Sequence, residues 1–113
     1  MIGKRGEEIA CWYLKRRGFD ILEQNYRYKK GEIDLIASKD NWLIFVEVRV
    51  RNNDAYGYPE QSISAQKEEL LLATAEHYLH THPNKHCQIR FDILSITLQA
   101  NRSTVRHFED AIG

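Results

Sequence analysis

The chain has 113 residues, 42% hydrophobic and 28% charged, with 16 basic side chains balanced by 16 acidic ones. That is the make-up of one soluble globular domain, residues 1–113, with enough chain for a core without disulfide or metal staples; a disordered chain is excluded. The first seventeen residues already hold Lys4, Arg5, Glu7, Glu8, Lys15, Arg16 and Arg17, and no apolar run approaches spanning length, so a cytoplasmic protein with no membrane partner is expected. Cys11 and Cys87 have no C-x-x-C spacing and read as buried thiols of a reducing compartment. The zero net charge hides an asymmetry: residues 1–51 carry 11 bases against 8 acids, and residues 52–113 carry 5 against 8. Basic runs at Lys4-Arg5, Lys15-Arg16-Arg17 and Lys29-Lys30 fit a phosphate-facing patch or solvated helix ends and turns equally well.

In chain order, Ile9, Ala10, Tyr13 and Leu14 recur at helical spacing behind Glu7-Glu8, and the pattern stops at Arg16-Arg17-Gly18. Acid first, base last and glycine beyond are helix boundaries. Phe19–Tyr26 predicts a strand, Lys29–Gly31 a turn, Glu32–Ser38 a second strand and Lys39-Asp40-Asn41 another turn. Trp42–Arg51 is the strongest strand. The loop 52–60 follows, long enough to be functional. Ser64 then caps a helix from about Ala65 to His80, with Leu70, Leu71, Ala73, Thr74, Ala75 and Tyr78 as its apolar positions. Cys87–Leu98 reads as a strand and Thr104–Phe108 as a last short one. The resulting αβββαβ order predicts an α/β fold: a mixed sheet flanked by helices, with one crossover through the second helix.

Two strands carry acids where apolar residues are expected. In Phe45–Arg51, alternation puts Val46, Val48 and Val50 on one side and Phe45, Glu47, Arg49 and Arg51 on the other. In Gly31–Ile36, the same rule pairs Ile33 with Leu35 and leaves Glu32, Asp34 and Ile36 opposite. Asp34 and Glu47 on adjacent strands repel each other and lose hydration unless cations or donors compensate. A hard divalent ion such as magnesium would do so. Glu7, on the stripe of Ala10 and Leu14, is aimed at the sheet and is a candidate third carboxylate. The alternative is a cross-strand ion-pair ladder on a solvated face, with Glu7 complementing the helix dipole.

The acid on the first helix, Asp34 on the second strand and the E-x-R of Glu47-Val48-Arg49 resemble the PD-(D/E)XK nuclease superfamily. Within it, the chain resembles the small YraN-type family of endonuclease-like proteins, related to Holliday junction resolvases. Gly3, Gly6-Glu7, Ala10, Leu14, Gly18, Asn25, Gly31–Ile36, Phe45–Val48, Arg51, Gly57, Pro59, Lys67 and Arg90-Phe91-Asp92 carry the match. The resemblance implies a restriction-endonuclease-like αβββαβ core. It also implies Glu7, Asp34 and Glu47 as ligands to one or two Mg or Mn ions, and hydrolysis of DNA phosphodiester bonds, with structured or branched DNA as substrate. A homodimer is carried over by the same analogy. The motif lysine falls at Arg49, which stays charged and cannot accept a proton but can clamp phosphate, so a nuclease-fold nucleic-acid-binding module without turnover is the second reading. Lys67, in Gln66-Lys67-Glu68-Glu69, reads as a surface lysine or else as a replacement cation. Arg51, Tyr56 and Tyr58 are candidate substrate contacts. Trp12 and Tyr13 are expected in or near the core. His77, His80, His82, His86 and Cys87 lack zinc-site spacing and read as helix-end residues.

Overall fold

The computed structural model describes residues 4–52, 63–83 and 88–112. The order is α1 (Lys4–Arg16), β1 (Asp20–Tyr28), β2 (Gly31–Lys39), β3 (Trp42–Arg51), α2 (Ala65–Thr81), β4 (Gln88–Gln99) and β5 (Arg102–Phe108). All five strands form one sheet in the order β1-β2-β3-β4-β5. β3 and β4 run parallel and the other neighbours antiparallel. Parallel neighbours need a crossover, and α2 supplies it. This is the expected mixed α/β fold, consistent with a restriction-endonuclease-like core, with β5 as a fifth strand at the edge.

Each helix covers one face. Ala10, Tyr13 and Leu14 of α1 pack with Leu35, Ala37, Ile44, Val46, Val48, Leu94 and Ile96. Leu71, Ala75 and Tyr78 of α2 pack with Ile33, Ile36, Leu43, Phe45 and Ile93. The valines of β3 therefore face α1, and Phe45, with the alternate positions beyond it, faces α2.

Four expectations need correction. Ile33 and Leu35 do not share a face: Ile33 packs under α2 and Leu35 under α1. The break lies beside Asn25, whose φ of 53° is left-handed and interrupts the extended pleat opposite. Leu70 and Ala73 are exposed, because the buried stripe of α2 is Leu71, Thr74, Ala75 and Tyr78, spaced by three and four. Trp12 is 59% exposed, on the outward side of α1, with the Arg16 guanidinium 5.0 Å from its ring centre; Tyr13 is buried as expected. Cys11 is only half-buried, and burial raises its thiol pKa. Tyr56, Tyr58, Gly57, Pro59, His86 and Cys87 lie outside the described residues. Among those residues no helix is long and apolar enough to cross a membrane.

Two glycines fix how close the helices come. A Cβ on Gly31 would collide with Thr74 Oγ1 and stand 2.8 Å from the Leu70 carbonyl oxygen, so α2 sits directly on the start of β2. A Cβ on Gly6 would stand 2.5 Å from Val50 Cγ2, which pins the first turn of α1 to the end of β3.

Candidate functional site

The hairpin β2–β3 does not stay zipped. Its paired register runs from Lys39–Trp42 to Leu35–Val46. One step further, where Asp34 would face Glu47, the Asp34 side chain takes over as acceptor: its Oδ2 receives the Val48 N–H at 2.7 Å. Glu47 and the residues after it continue to pair with β4, Glu47 with Ile93 through Arg51 with Thr97. A cleft therefore opens between β2 and β3, and both acids sit at its fork.

Both are buried, Asp34 at 7% exposure and Glu47 at 5%. Burial pushes the Asp34 pKa from 3.8 up to about 7. The Val48 N–H opposes that shift, the negative charges of Glu47 and Glu32 add to it, and the Lys67 ammonium offsets part of it. Glu47 has cations beside it. Lys67 Nζ lies 2.5 Å from Glu47 Oε2, and Arg49 Nε lies 3.9 Å from the same oxygen. The lysine holds the contact; the arginine is at the limit of ion-pair range. Arg51 lies two residues beyond Arg49 at the end of β3, half-buried. Glu32 is outside this group and pairs with Arg27 at 3.4 Å, which makes it a strand-edge ion pair.

Glu7 does not join Asp34 and Glu47. Among the described residues no three His, Cys, Asp or Glu side chains gather closely enough to hold a metal ion. The reason lies in the pleat. Alternation puts Glu47 opposite the valines, and α1 covers the valines, so Glu7 reaches the sheet from the other face. Its Oε2 instead accepts a hydrogen bond from Asn25 Nδ2 at 3.1 Å. Gln24 and Tyr26 pair with Leu35 and Ile33, which sets Asn25 level with Asp34. Asn25 Oδ1 is buried and has no hydrogen-bond partner among the described residues.

Lys67 is a surface residue, 48% exposed, whose ammonium nevertheless meets Glu47. It stands on the third position of α2, and its backbone N–H donates to the Ser64 side chain at 3.2 Å. The capping serine thus fixes the turn from which the ammonium reaches Glu47. A base in the first helical turn opposes the helix dipole, and that misplacement is the sequence signal that marks it.

His77 on α2 and His82 at its C-cap serve packing. His77 stacks on Tyr28 with ring centres 3.9 Å apart, and His82 stacks on Tyr78 at 4.3 Å.

A model of the Uncharacterised protein family UPF0102 matches residues 6–96. The chain belongs to that family. A UPF0102 protein of Persephonella marina is 46% identical over 94 residues, covering 83% of this chain and 81% of the relative. One from Dictyoglomus thermophilum is 44% identical over 97 residues, covering 86% and 82%. One from Chloroherpeton thalassium is 39% identical over 100 residues, covering 88% and 78%. The matched span runs from Gly6 to Ile96 and so includes Glu7, Asp34, Glu47, Arg49 and Lys67.

Proposed function

We propose that this protein is a metal-dependent endonuclease of the PD-(D/E)XK type, hydrolysing phosphodiester bonds of DNA, with structured or branched DNA as the substrate class. The observation that supports this most is the buried carboxylate pair at the fork of β2 and β3. Among the described residues the two acids meet the Val48 N–H, the Lys67 ammonium and, at the limit of ion-pair range, Arg49, and a divalent cation would relieve the repulsion that remains between them. The donor set suits magnesium or manganese, which take hard oxygen ligands and keep several waters, so Asp34 and Glu47 would suffice as protein ligands. Glu7 is then outside the ligand set, held by Asn25. When bound, such an ion polarises a phosphoryl oxygen and lowers the pKa of water.

The chain's own groups supply the rest. Asp34 and Glu47 fix the position of the cation on the sheet. Arg49 is placed to hold a phosphate oxygen by its fork of N–H donors. Water adds across the P–O bond: its oxygen joins phosphorus and gives up a proton to solvent, the bond to the leaving sugar oxygen breaks and that oxygen takes a proton from solvent, and the negative charge that builds on the phosphoryl oxygens is met by the flanking cations. The test is incubation with linear, flapped and four-way DNA in magnesium or manganese, beside Asp34→Ala and Glu47→Ala. Cleavage by the natural protein and its loss in both variants is the expected result; cleavage that survives both removes this site.

One observation favours a second reading. Arg49 stands where the superfamily motif has lysine, which fits a module that holds nucleic acid without cutting it. Cleavage gained only by Arg49→Lys would establish that reading instead.

A further inference from the structure

We infer that Lys67 is the mobile cation of this site: its ammonium neutralises Glu47 until a divalent ion takes that carboxylate, then moves to the phosphate of the bound nucleic acid. This rests on the nuclease reading above and assigns the role left open by Arg49.

The ion pair is the first support. Lys67 Nζ is 2.5 Å from Glu47 Oε2, while Arg49 Nε, two residues along the same strand, is 3.9 Å away. A carboxylate that coordinates a cation cannot keep an ammonium on the same oxygen at that distance, so the two compete. The second support is freedom to move. The Lys67 side chain is 48% exposed although the carboxylate it meets is 5% exposed. Its backbone is anchored by the Ser64 cap, and its tip is held by the ion pair to Glu47. Four methylenes pivoting on a fixed helical turn let the ammonium leave Glu47 without moving α2.

Placement is the third support. Lys67 is in the first turn of α2, where the helix dipole disfavours a cation and favours an anion. Glu47 compensates in the free protein, and a phosphate arriving at the same end would compensate as well. The departing ammonium therefore has a partner in the substrate. Metal and nucleic acid then bind cooperatively, because each gives the lysine a reason to change partner.

The test is calorimetric titration of Mn2+ into the natural protein, Lys67→Met and Lys67→Gln, without DNA, beside the cleavage assay. Circular dichroism checks that the variants fold, since losing the ammonium leaves the buried Glu47 carboxylate with Arg49 at 3.9 Å as its cation. With the competing ammonium gone, both variants bind Mn2+ about tenfold more tightly, within the usual range of site coupling. The same variants cut DNA about 100-fold more slowly, the scale of a lost charge-stabilising donor. Tighter metal binding with slower cutting is a combination that a merely structural lysine does not produce. Equal or weaker Mn2+ affinity in both variants overturns the exchange. Undiminished cleavage in both, with Asp34→Ala inactive, overturns the phosphate role and leaves the nuclease reading intact. No Mn2+ heat and no cleavage from the natural protein overturns the nuclease reading itself.

Discussion

Two buried aspartates within one sheet meet opposite fates. Asp92 on β4 is fully buried and saturated: Arg90 donates from Nε and Nη2 at 2.9–3.2 Å, His107 Nε2 lies 2.7 Å away, and the Asp110 N–H donates at 2.9 Å. Burial alone would raise its pKa, but the hydrogen bonds from His107, Arg90 and Asp110, with the Arg90 charge, outweigh that and hold it below the ordinary value. Asp34 on β2 has almost the same depth, but among the described residues it has one backbone donor, with Glu47 and Glu32 beside it and the Lys67 charge offsetting part of their effect, and its pKa rises to about 7. Depth does not separate them. Donor supply does. A carboxylate that belongs to the scaffold is held by several donors, and the one at the fork has the Val48 N–H and two acids beside it.

The sharpest way to break this contrast is Asp92→Ala. It strands Arg90 and His107 beside Tyr13, whose hydroxyl lies 3.3 Å from His107 Nδ1, and the loss should be about 3–5 kcal/mol in urea unfolding. A loss below about 1 kcal/mol would mean that the network is idle.

The opposite sign is expected at the fork. Asp34 has a folded pKa above its unfolded value of 3.8, so its contribution to stability is fully present below that value and is lost as pH rises through about 7. At pH 8 the protein carries the whole cost of ionising it. Asp34→Asn should therefore raise the melting temperature by several degrees at pH 8, by less at pH 5 and little below 3.8, while abolishing cleavage. Asp92 runs the other way: its stabilisation is present above 3.8 and is lost as pH falls through its lowered pKa. The acid limb of the natural protein's unfolding curve should report Asp92 and disappear in Asp92→Asn. The smallest effect is expected from Arg49→Lys, which keeps a cation at the edge of the site and should alter cleavage by no more than about threefold, because Lys67 already holds the close position.

Much of this was legible in the sequence. The alternation in Phe45–Arg51 separated the valines from Glu47, Arg49 and Arg51, and the structure keeps that separation. Helix α2 was readable from its cap at Ser64, and β2–β3 from the turn at Asp40-Asn41. What alternation could not supply was which helix covers which face. That choice puts Glu7 on the valine side, away from Glu47, and Lys67 on the Glu47 side. The break at Asn25 was hidden for a similar reason, since a left-handed residue inside a strand leaves no trace in hydrophobic spacing. Trp12 illustrates the limit of residue type: an aromatic on the wrong arc of a helix stays in solvent.

Burial and two neighbouring acids raise the Asp34 pKa to about 7, and carbon-13 NMR of that carboxyl against pH measures this directly. Without divalent metal it should titrate near 7, and on addition of magnesium the midpoint should fall by at least one pH unit. A midpoint near 4 in both conditions would show an ordinary carboxylate, and the fork between β2 and β3 would then have no vacancy for an ion to fill.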